Sequence, residues 1–384
     1  MKIPFHRPNV PESLDSIYTE SIRNGWLTTG GIVQEFENLL KEYLNSDHVI
    51  LVNSCTAALH LSLLAKGFSK GSKFILPTLT FASTIECGEY VGLQPILVDC
   101  EKNSFLMDLN IVETHLKKDS KIKAIIPMHY GGQAVNMEHV NFLADKYDLF
   151  ILEDAAHALE TKFGNHKIGN TNHTSAFSFY ANKNLTTAGE GGAVSTNNGE
   201  LANKIKRLSL HGITKDGWNR FKNQGKWEYD ITELGYKYNI TDLAASFGIW
   251  QFNQIKSWQR KREEIVKYYL KELRNINGLI LPKIIKGHAW HLFVIQIKPD
   301  KLKISRNKVI EKLNKYGIGL AVHYKPIHKL SYYKKNYQLS SHNFPNADRY
   351  FNTIISLPIY PSLTDIELDY ITKIIKELFN KYRL

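Results

Sequence analysis

The stretch that decides the fold covers residues 150–196 and reads FILEDAAHALETKFGNHKIGNTNHTSAFSFYANKNLTTAGEGGAVST. An apolar run at its start, residues 149–152, is typical of a buried parallel strand and leads to Asp154. A second predicted strand covers 175–180, and Lys183 comes three residues later. Ligands of open α/β sheets bind beyond the carboxyl ends of the strands. The pattern therefore predicts that Asp154 and Lys183 belong to one site.

An acid and an amine placed in this way suit an enzyme that uses pyridoxal 5'-phosphate (PLP). The amine of a lysine forms a Schiff base with the aldehyde of this cofactor, and a carboxylate keeps the pyridine nitrogen protonated so that the ring accepts electrons. Taken alone, such a pair is more often a surface lysine and a helix-capping aspartate. The residues around Asp154 and Lys183 favour the cofactor site.

Three of these surrounding segments, EDAAHALET, SAFSFYANKN and GEGGAVST, carry a resemblance to a known family, and further similar segments run nearly from end to end. The chain resembles the DegT/DnrJ/EryC1/StrS family of PLP-dependent nucleotide-sugar aminotransferases, especially members that act on 4-keto sugars. The resemblance implies an α/β protein of aminotransferase fold type I, with a large, mostly parallel sheet domain and a small C-terminal α+β domain. We expect the PLP-binding domain at 1–250 and the small domain at 251–384.

Repeated strand–helix units agree with this fold class, because apolar strands that alternate with helices are typical of a parallel sheet covered on both faces. The predicted strands are 49–52, 95–98, 124–126, 149–152, 175–180 and 193–196, and the predicted helices are 11–24, 32–44, 136–146 and 201–211. A long helix at 241–276 is expected to link the domains. The C-terminal part is predicted to hold one strand, 291–297, and helices at 305–316 and 364–381.

Composition and charge narrow the class of protein. The chain has 384 residues, 43% hydrophobic and 22% charged, which fits a two-domain globular protein. The net charge of +12 is spread over dispersed lysines, so we expect no nucleic-acid partner, and a positive field also favours a nucleotide diphosphate substrate. No apolar run approaches the roughly 20 residues that cross a bilayer, and MKIPFHRPNVPES lacks an apolar signal core. We expect a cytoplasmic protein with no membrane partner.

Cysteine and histidine spacing indicates no metal site. Cys55, Cys87 and Cys100 form no CxxC pair and leave one odd thiol, which argues against a disulfide framework and a zinc site. His323 and His328 are five residues apart, with no carboxylate nearby in the sequence, and make a poor metal pair. The GEGG segment lacks the GxGxxG spacing of a dinucleotide loop.

A phosphate site is predicted at the turn NSCT, between the strand at 49–52 and a helix that runs to Lys66. Free N–H groups point outward at the start of a helix and bind anions. By itself this signal is weak, since many α/β proteins cap a helix with serine or threonine. The resemblance implies that the cofactor phosphate lies here, held by Cys55 and Thr56, chiefly through their backbone amides, and by Ser178.

Two further residues are candidates for contact with the cofactor ring. Phe81 follows the predicted strand in FILPTLTFAST, where a core phenylalanine is the alternative, and the resemblance implies that it stacks on the pyridine ring. His157 lies three residues after Asp154 and would share a face with it if both start a helix. The resemblance implies that His157 contacts the ring or its phenolic oxygen. A structural histidine is the alternative.

Substrate contacts are implied by the resemblance in two segments. Thr29, in GWLTTGG, lies in a glycine-threonine turn that the family places near the substrate. His323 and Tyr324, in VHYKPIH, border the sugar pocket of the family.

A partner subunit is also implied. In LGYKYNITDLAASFGIWQ, Lys237 stands where many relatives have asparagine, and Asn239 stands where they have arginine. The family uses the asparagine-type position on the phosphate bound by the partner subunit, so we expect a homodimer with shared active sites, in which Lys237 or Asn239 reaches the partner's cofactor. Residues 212–238 show no period and are predicted to be a loop that enters the neighbouring site; a nucleotide or RNA surface is the alternative.

The sequence therefore predicts a transaminase that moves an amino group to the C4 ketone of a nucleotide-linked (dTDP- or UDP-) keto-deoxysugar for a lipopolysaccharide or other glycan. The family implies glutamate as the amino donor. One branch of the family has histidine in place of the lysine and dehydrates sugars, and Lys183 argues against that branch. The alternatives are a C3 keto-sugar or amino-acid-directed enzyme of this fold, and a non-catalytic binding or regulatory protein on it.

Overall fold

The computed structural model describes residues 1–23, 25–214 and 229–384. Most of the predicted loop at 212–238 lies outside the described residues. Its two described ends, 212–214 and 229–238, pair in antiparallel fashion, with a bridge between Ile213 and Ile231. The N–H of Thr214 donates to the carbonyl of Asp230 at 3.0 Å.

A seven-stranded sheet forms the centre of the larger part of the molecule. Its strand order is β1-β9-β8-β5-β4-β2-β3, and only β9 runs antiparallel to its neighbours. The strands of this sheet, with the hairpin β6–β7, are β1 (His48–Val52), β2 (Lys73–Pro77), β3 (Gln94–Val98), β4 (Ile122–Ile125), β5 (Phe150–Asp154), β6 (Lys162–Phe163), β7 (His166–Lys167), β8 (Thr174–Ser178) and β9 (Gly192–Thr196). The predicted mostly parallel sheet is confirmed.

The two faces of this sheet are buried in separate apolar clusters. Leu51 and Ile151 belong to one cluster, and their strand neighbours Ile50 and Leu152 belong to the other. Successive side chains of a strand point to opposite faces, so a continuous apolar run is what a strand covered on both faces requires. The observed strands lie within a few residues of the predicted ones.

Helices surround the sheet and continue into the C-terminal part. In the described residues they are α1 (Asp15–Arg23), α2 (Gly31–Leu44), α3 (Cys55–Lys66), α4 (Ser83–Tyr90), α5 (Leu109–Leu116), α6 (Met137–Tyr147), α7 (Gly199–Leu208), α8 (Asp242–Leu273), α9 (Arg306–Lys315), α10 (Ser331–Asn336), α11 (Pro345–Thr353) and α12 (Asp365–Lys381). The long linking helix is confirmed as α8, which starts where the hydroxyl of Thr241 accepts the N–H of Ala244 at 3.2 Å. A hydroxyl in this position satisfies an otherwise free N–H of the first turn.

The C-terminal part contains a second, antiparallel sheet of order β10-β11-β12, made of β10 (Leu279–Ile280), β11 (Phe293–Ile297) and β12 (Ile354–Leu357). The sequence predicted only one of these strands, so that prediction was wrong. The N-terminus of the chain also belongs here: Ile3 pairs with Ile318 and is buried in the same core. The predicted boundary at residue 250 falls inside α8 and stays a prediction.

Cys55, Cys87 and Cys100 are buried free thiols. Within the described ranges, no three histidine, cysteine or acidic side chains are grouped so that they could hold a metal ion. None of the described helices combines the length and apolar character needed to span a membrane.

Candidate active site

Asp154 ends strand β5 and is almost completely buried, at 2% exposure. Its Oδ2 accepts the hydroxyl of Thr84 at 2.7 Å, and its Oδ1 accepts the N–H of Ala156 at 3.1 Å. Within the described part of the chain, no cation lies within ion-pair distance of this carboxylate. Burial raises the pKa of the Asp154 carboxyl, against the opposing effects of Thr84, Ala156 and Lys183.

Lys183 lies in the turn after β8 and is half-buried. Its backbone N–H donates to the carbonyl of Tyr180 at 2.9 Å, which fixes the turn. Burial lowers the pKa of the Lys183 amine to about 8, although Cys55 and Asp154 raise it. Asp154 and Lys183 thus influence each other's ionisation, as expected if they share a site. Next to Lys183, the buried Oδ1 of Asn182 has no hydrogen-bond partner among the described residues.

The predicted phosphate residues come together at the start of α3. Ser54 caps this helix by accepting the N–H of Ala57 at 3.1 Å, so Cys55 and Thr56 are its first residues. Ser178 pairs with Gly192 across β8 and β9. A Cβ on Gly192 would lie 2.6 Å from the backbone N of Cys55. Only glycine permits this approach, which places Ser178 and the first turn of α3 at the same end of the sheet.

Phe81 lies beyond the end of β2 with an exposed ring, at 57% exposure. This exposure shows that Phe81 is not a core residue, which was the alternative interpretation of the sequence. Its ring centroid is 5.8 Å from that of Tyr324. An exposed aromatic ring beside a second aromatic side chain leaves a face open for a planar ligand.

His157 is buried beside Tyr324, but not on a helix. Asp154 and His157 do not start a helix, the condition under which they would share a face: residues 155–161 form successive turns, in which the carbonyl of Ala155 accepts the N–H of Ala158. Nδ1 of His157 accepts the N–H of Gly131 at 3.1 Å. The one proton of the neutral ring is then on Nε2, which donates to the hydroxyl of Tyr324 at 2.8 Å.

Further side chains surround this histidine. Burial, Lys183 and His323 lower the pKa of His157 well below its usual value, so the ring is neutral at physiological pH. The ring of His291 lies 4.3 Å from that of His157, and its Nδ1 is 3.0 Å from Oδ1 of Asn184. His323 Nδ1 is 2.9 Å from the hydroxyl of Ser356, and burial, followed by the charge of Lys183, lowers its pKa to about 3.

His328 lies in a different environment from His323. Its Nδ1 is 2.8 Å from the hydroxyl of Thr78, and its Nε2 is 2.9 Å from Oδ1 of Asp348. The carboxylate that meets this histidine, Asp348, comes from helix α11 and not from its neighbours in the sequence. These hydrogen bonds link the two parts of the chain and give His328 a structural role.

Thr29, Lys237 and Asn239 form one hydrogen-bonded chain. The amine of Lys237 donates to Oδ1 of Asn239 at 2.7 Å, and the amide of Asn239 donates to Oγ1 of Thr29 at 2.7 Å. Asn239 also pairs with Val52 at the end of β1. The structure thus brings the predicted substrate turn and the predicted partner-directed residues together, next to the first turn of α3.

Several residues of this region were not identified from the sequence. One of them is Thr84, which donates to Asp154. Thr80 and Thr84 are four residues apart on the segment that also carries Phe81, and this spacing was a possible signal in the sequence. Asp242 is buried and accepts the N–H groups of Gly30 at 2.8 Å and Val33 at 3.0 Å, which holds the turn of Thr29. Its place at the start of α8 gave no sign of this contact with residues about two hundred positions away.

Comparison with known proteins agrees with this geometry. The model of the DegT/DnrJ/EryC1/StrS aminotransferase family matches residues 11–376. The spore coat polysaccharide biosynthesis protein SpsC of Bacillus subtilis is 38% identical over 98% of this chain and 97% of its own. The UDP-4-amino-4-deoxy-L-arabinose--oxoglutarate aminotransferase of Shewanella sediminis is 32% identical over 98% of both chains. Spr1654 of Streptococcus pneumoniae, solved in its PLP-form, superposes with a TM-score of 0.91 at 30% identity over 99% of both chains.

The chain belongs to the DegT/DnrJ/EryC1/StrS aminotransferase family. The predicted family, fold class and PLP-dependent sugar aminotransferase activity are confirmed. Spr1654 is also known in a PMP-form, which agrees with PLP as the cofactor. The roles of the individual site residues stay predictions.

The residues of the site fit PLP. The buried Asp154 carboxylate has only neutral donors, and a pyridinium N–H supplies the cationic partner that it lacks. The exposed ring of Phe81 offers a stacking surface, and the first turn of α3 offers N–H groups to a phosphate. Lys183 has a depressed pKa, which makes its amine a better nucleophile at neutral pH.

Proposed function

We propose that this enzyme transfers an amino group from glutamate to the C4 ketone of a nucleotide-linked (dTDP- or UDP-) keto-deoxysugar, for the synthesis of a lipopolysaccharide or other glycan. The observation that carries the proposal is the half-buried Lys183 amine beside the buried Asp154 carboxylate, at the carboxyl end of the sheet. A purely binding protein on this fold needs neither the lowered lysine pKa nor a buried carboxylate without a cation.

PLP supplies an electron sink for the bond that breaks at the α-carbon of the amino donor. The amine of Lys183 would hold the cofactor. Because burial lowers its pKa to about 8, this amine is neutral more often than that of an ordinary lysine, and it would move the proton between the donor α-carbon and the C4' carbon. Amination of the sugar ketone uses the same proton transfers in the reverse direction.

The other site residues orient the cofactor. With PLP bound, Asp154 would hold the proton on the pyridine nitrogen, and the exposed ring of Phe81 would offer it a stacking surface. His157 carries its one ring proton on Nε2, so it would donate to the phenolic oxygen of the cofactor in place of its present bond to Tyr324. Cys55 and Thr56, with the hydroxyl of Ser178, bind the phosphate.

Two observations support a 4-keto sugar over a 3-keto sugar. The segments GYKYN and VHYKPIH resemble those of members that aminate C4. The name of the Shewanella sediminis relative specifies a 4-amino-4-deoxy sugar on UDP, and it also names oxoglutarate, the keto acid that glutamate leaves behind. His323 and Tyr324 lie next to Phe81 and His157, where the sugar would approach the cofactor ring.

The assembly we propose is a homodimer whose subunits share active sites. Lys237 is exposed beside the first turn of α3, and Leu234 on the same segment is 87% exposed. Ile231 and Tyr229 on the same segment are also exposed, and a group of exposed apolar side chains favours coverage by another chain. In this assembly Lys237 or Asn239 reaches the phosphate bound by the partner subunit. The cytoplasmic location stays a prediction.

The substrate proposal is tested by offering the PLP-loaded enzyme and glutamate 4-keto and 3-keto deoxysugars linked to dTDP or to UDP. NMR of the product gives the carbon that carries the new amine. We expect amination at C4 only. A product aminated at C3 would replace this proposal with the 3-keto alternative. Repeated 2-oxoglutarate release only when a keto acid is added as acceptor, with no sugar product, would point to an amino-acid-directed enzyme.

The shared site is tested by mixing two inactive variants, Lys183→Ala and the double variant Lys237→Ala/Asn239→Ala. If these side chains serve the partner's cofactor, each mixed dimer has one intact site, and random exchange restores about a quarter of the wild-type activity. If they serve their own subunit, every site in the mixture is defective and no activity returns. The matched control mixes Lys183→Ala with itself.

A further inference from the structure

We propose that Glu153 and His129 are positioning residues: this buried pair, acting through the turn Tyr130–Gly132, fixes which nitrogen of His157 carries the proton. The inference rests on the proposed contact between His157 and the cofactor. It assigns a role to two side chains that lie behind the site, and the route proposed for their effect runs through His157. Every link between them is a hydrogen bond of the described residues.

Glu153 is the first link. It precedes Asp154 on β5, so its side chain points to the opposite face of the sheet, where it is completely buried. Its carboxylate lies 2.8 Å from Nε2 of His129, and it accepts the hydroxyls of Ser175 at 3.0 Å and of Thr171. Burial alone raises the pKa of the Glu153 carboxyl, but the hydrogen bonds from His129 and Thr171 outweigh it and hold the pKa below its usual value. The carboxylate is therefore ionised and can only accept.

His129 is the second link, because its neighbours assign both ring nitrogens. Nδ1 accepts the backbone N–H of Val135 at 3.1 Å, so it carries no proton. A neutral imidazole has one N–H, and the carboxylate of Glu153 requires it on Nε2. Removal of the carboxylate leaves a fully buried N–H without an acceptor, which favours a rearranged ring.

The turn is the third link, and His129 precedes it. The N–H of His129 donates to the carbonyl of Asp154 at 3.1 Å, and its carbonyl accepts the N–H of Gly132 at 3.2 Å. Gly131 and Gly132 have φ values of 65° and 100°, the left-handed region that glycine adopts without strain. The imidazole of His129 anchors the far side of the turn through Val135. A displaced ring therefore displaces the turn.

The position of the proton on His157 depends on this turn. The N–H of Gly131 donates to Nδ1 of His157, so the proton of this ring is on Nε2. If the turn moves, this donation is lost and Nδ1 can take the proton. Nε2 then has no hydrogen to donate to Tyr324 or to the phenolic oxygen of the cofactor. The negative charge of Glu153 is not needed for this effect, only its acceptor oxygen.

The test compares four proteins: wild type, Glu153→Ala, Glu153→Gln and Asp348→Asn. The glutamine keeps an acceptor oxygen for His129 and removes the charge. Asp348→Asn is the matched control, because Asp348 also bonds Nε2 of a buried histidine, His328, but through a different part of the fold. Glu153→Met, which fills the space without an acceptor, is made in parallel in case the alanine variant does not fold.

Two readouts are used. The first is the proton position on His157, from 15N NMR of histidine-labelled protein without cofactor, with the signal identified by its loss in His157→Gln. The second is the rate at which glutamate converts the visible band of the PLP-loaded enzyme. The first readout does not depend on PLP chemistry, so a failure of the proposed function, seen as a wild type that ignores PLP or glutamate, is distinguishable from a failure of this inference.

We expect Nε2–H in the wild type, and a gain of Nδ1–H with a rate about tenfold or more lower in Glu153→Ala or Glu153→Met. Glu153→Gln should restore the tautomer and stay within about threefold of the wild-type rate, since the acceptor is retained. Asp348→Asn should change neither readout. A wild-type His157 protonated on Nδ1, an unchanged tautomer in both loss variants, or an equal change in Asp348→Asn would each overturn the inference.

Discussion

Thr84 donates its hydroxyl hydrogen to Oδ2 of Asp154 at 2.7 Å, although the two residues come from different strand–helix units. A hydroxyl has one hydrogen to donate. The 2.7 Å bond between Thr84 and Thr80 is then donated by Thr80, in preference to the weaker sulfur acceptor of Met128, which lies 3.0 Å from the same hydroxyl. Neutral donors alone thus hold the buried carboxylate that we propose faces the pyridine nitrogen.

Replacement of Thr84 by valine should reduce glutamate-dependent turnover about tenfold, because a hydrogen bond to a charged group contributes about 1.5 to 3 kcal/mol. The valine keeps the shape of the side chain and removes only the donor. The rate at which glutamate converts the PLP band measures the effect. Thr372→Val is the matched control, since Thr372 is a buried threonine whose hydroxyl donates to the carbonyl of Leu368 within α12; an equal loss there would refute a specific role for Thr84.

Asp154→Asn should raise the stability of the cofactor-free protein and lower the activity of the loaded enzyme. Burial raises the pKa of this carboxyl, so ionising it costs more free energy in the folded, cofactor-free protein than in the unfolded chain. Asp154 therefore costs stability at neutral pH, and this cost disappears as the pH falls below the usual carboxyl pKa. We expect the cofactor-free variant to have a higher free energy of unfolding at pH 7, and the loaded variant to lose about 100-fold to 1000-fold in turnover.

Urea unfolding at pH 7 and at pH 4, with the conversion rate at pH 7, checks both parts. The difference in free energy between Asp154→Asn and wild type should shrink at the lower pH. A variant that is less stable at pH 7 would show that the carboxylate is stabilised in the fold, contrary to its burial without a cation.

Gly192→Ala should weaken PLP binding about tenfold or more. Its new Cβ would lie 2.5 Å from the carbonyl carbon of Ser54 and 2.6 Å from the N of Cys55, and both are backbone atoms that cannot move separately from α3. A fluorescence titration gives the PLP dissociation constant. Gly199→Ala is the control, because its Cβ would meet only the ring of His48, at 3.3 Å. Equal affinities for the two variants would remove Gly192 from the phosphate site.

The pH dependence of cofactor capture follows from Lys183. With a pKa of about 8, roughly one amine in ten is neutral at pH 7, against fewer than one in a thousand for an ordinary lysine. The rate at which cofactor-free enzyme develops the visible PLP band should rise about tenfold per pH unit below pH 8 and level off above it. Nα-acetyl-lysine is the control, and its rate should keep rising to about pH 10. A similar continued rise for the enzyme would mean that burial does not lower this pKa.

The sequence predicted the central sheet well because its physical cause is local. Strands such as β5 and β8 are buried on both faces, so their apolar residues are continuous, and the polar residues that end them stand out. Asp154 and Lys183 were identified in this way. Their closeness in space follows from the parallel pairing of β5 with β8.

The errors lie where distant contacts decide the structure. Helix α11 was not predicted because its first N–H groups, at Asn346 and Ala347, are accepted by Asp99, at 2.9 and 2.8 Å, from the other part of the chain. The chain after Asp154 forms turns rather than a helix, and there the hydroxyl of Thr161 donates to the carbonyl of Gly132 at 2.7 Å. Neither contact leaves a pattern in the neighbouring sequence.

The most direct test of the account is the absorbance spectrum of the purified protein with PLP, before and after glutamate, beside Lys183→Ala. We predict a visible band for the wild type that falls as the near-ultraviolet band of the aminated cofactor rises, and no such exchange for Lys183→Ala. A wild type without a visible band would contradict the assignment of Lys183 and Asp154 as a catalytic pair. A visible band that persists in Lys183→Ala and still responds to glutamate would assign the chemistry to another residue.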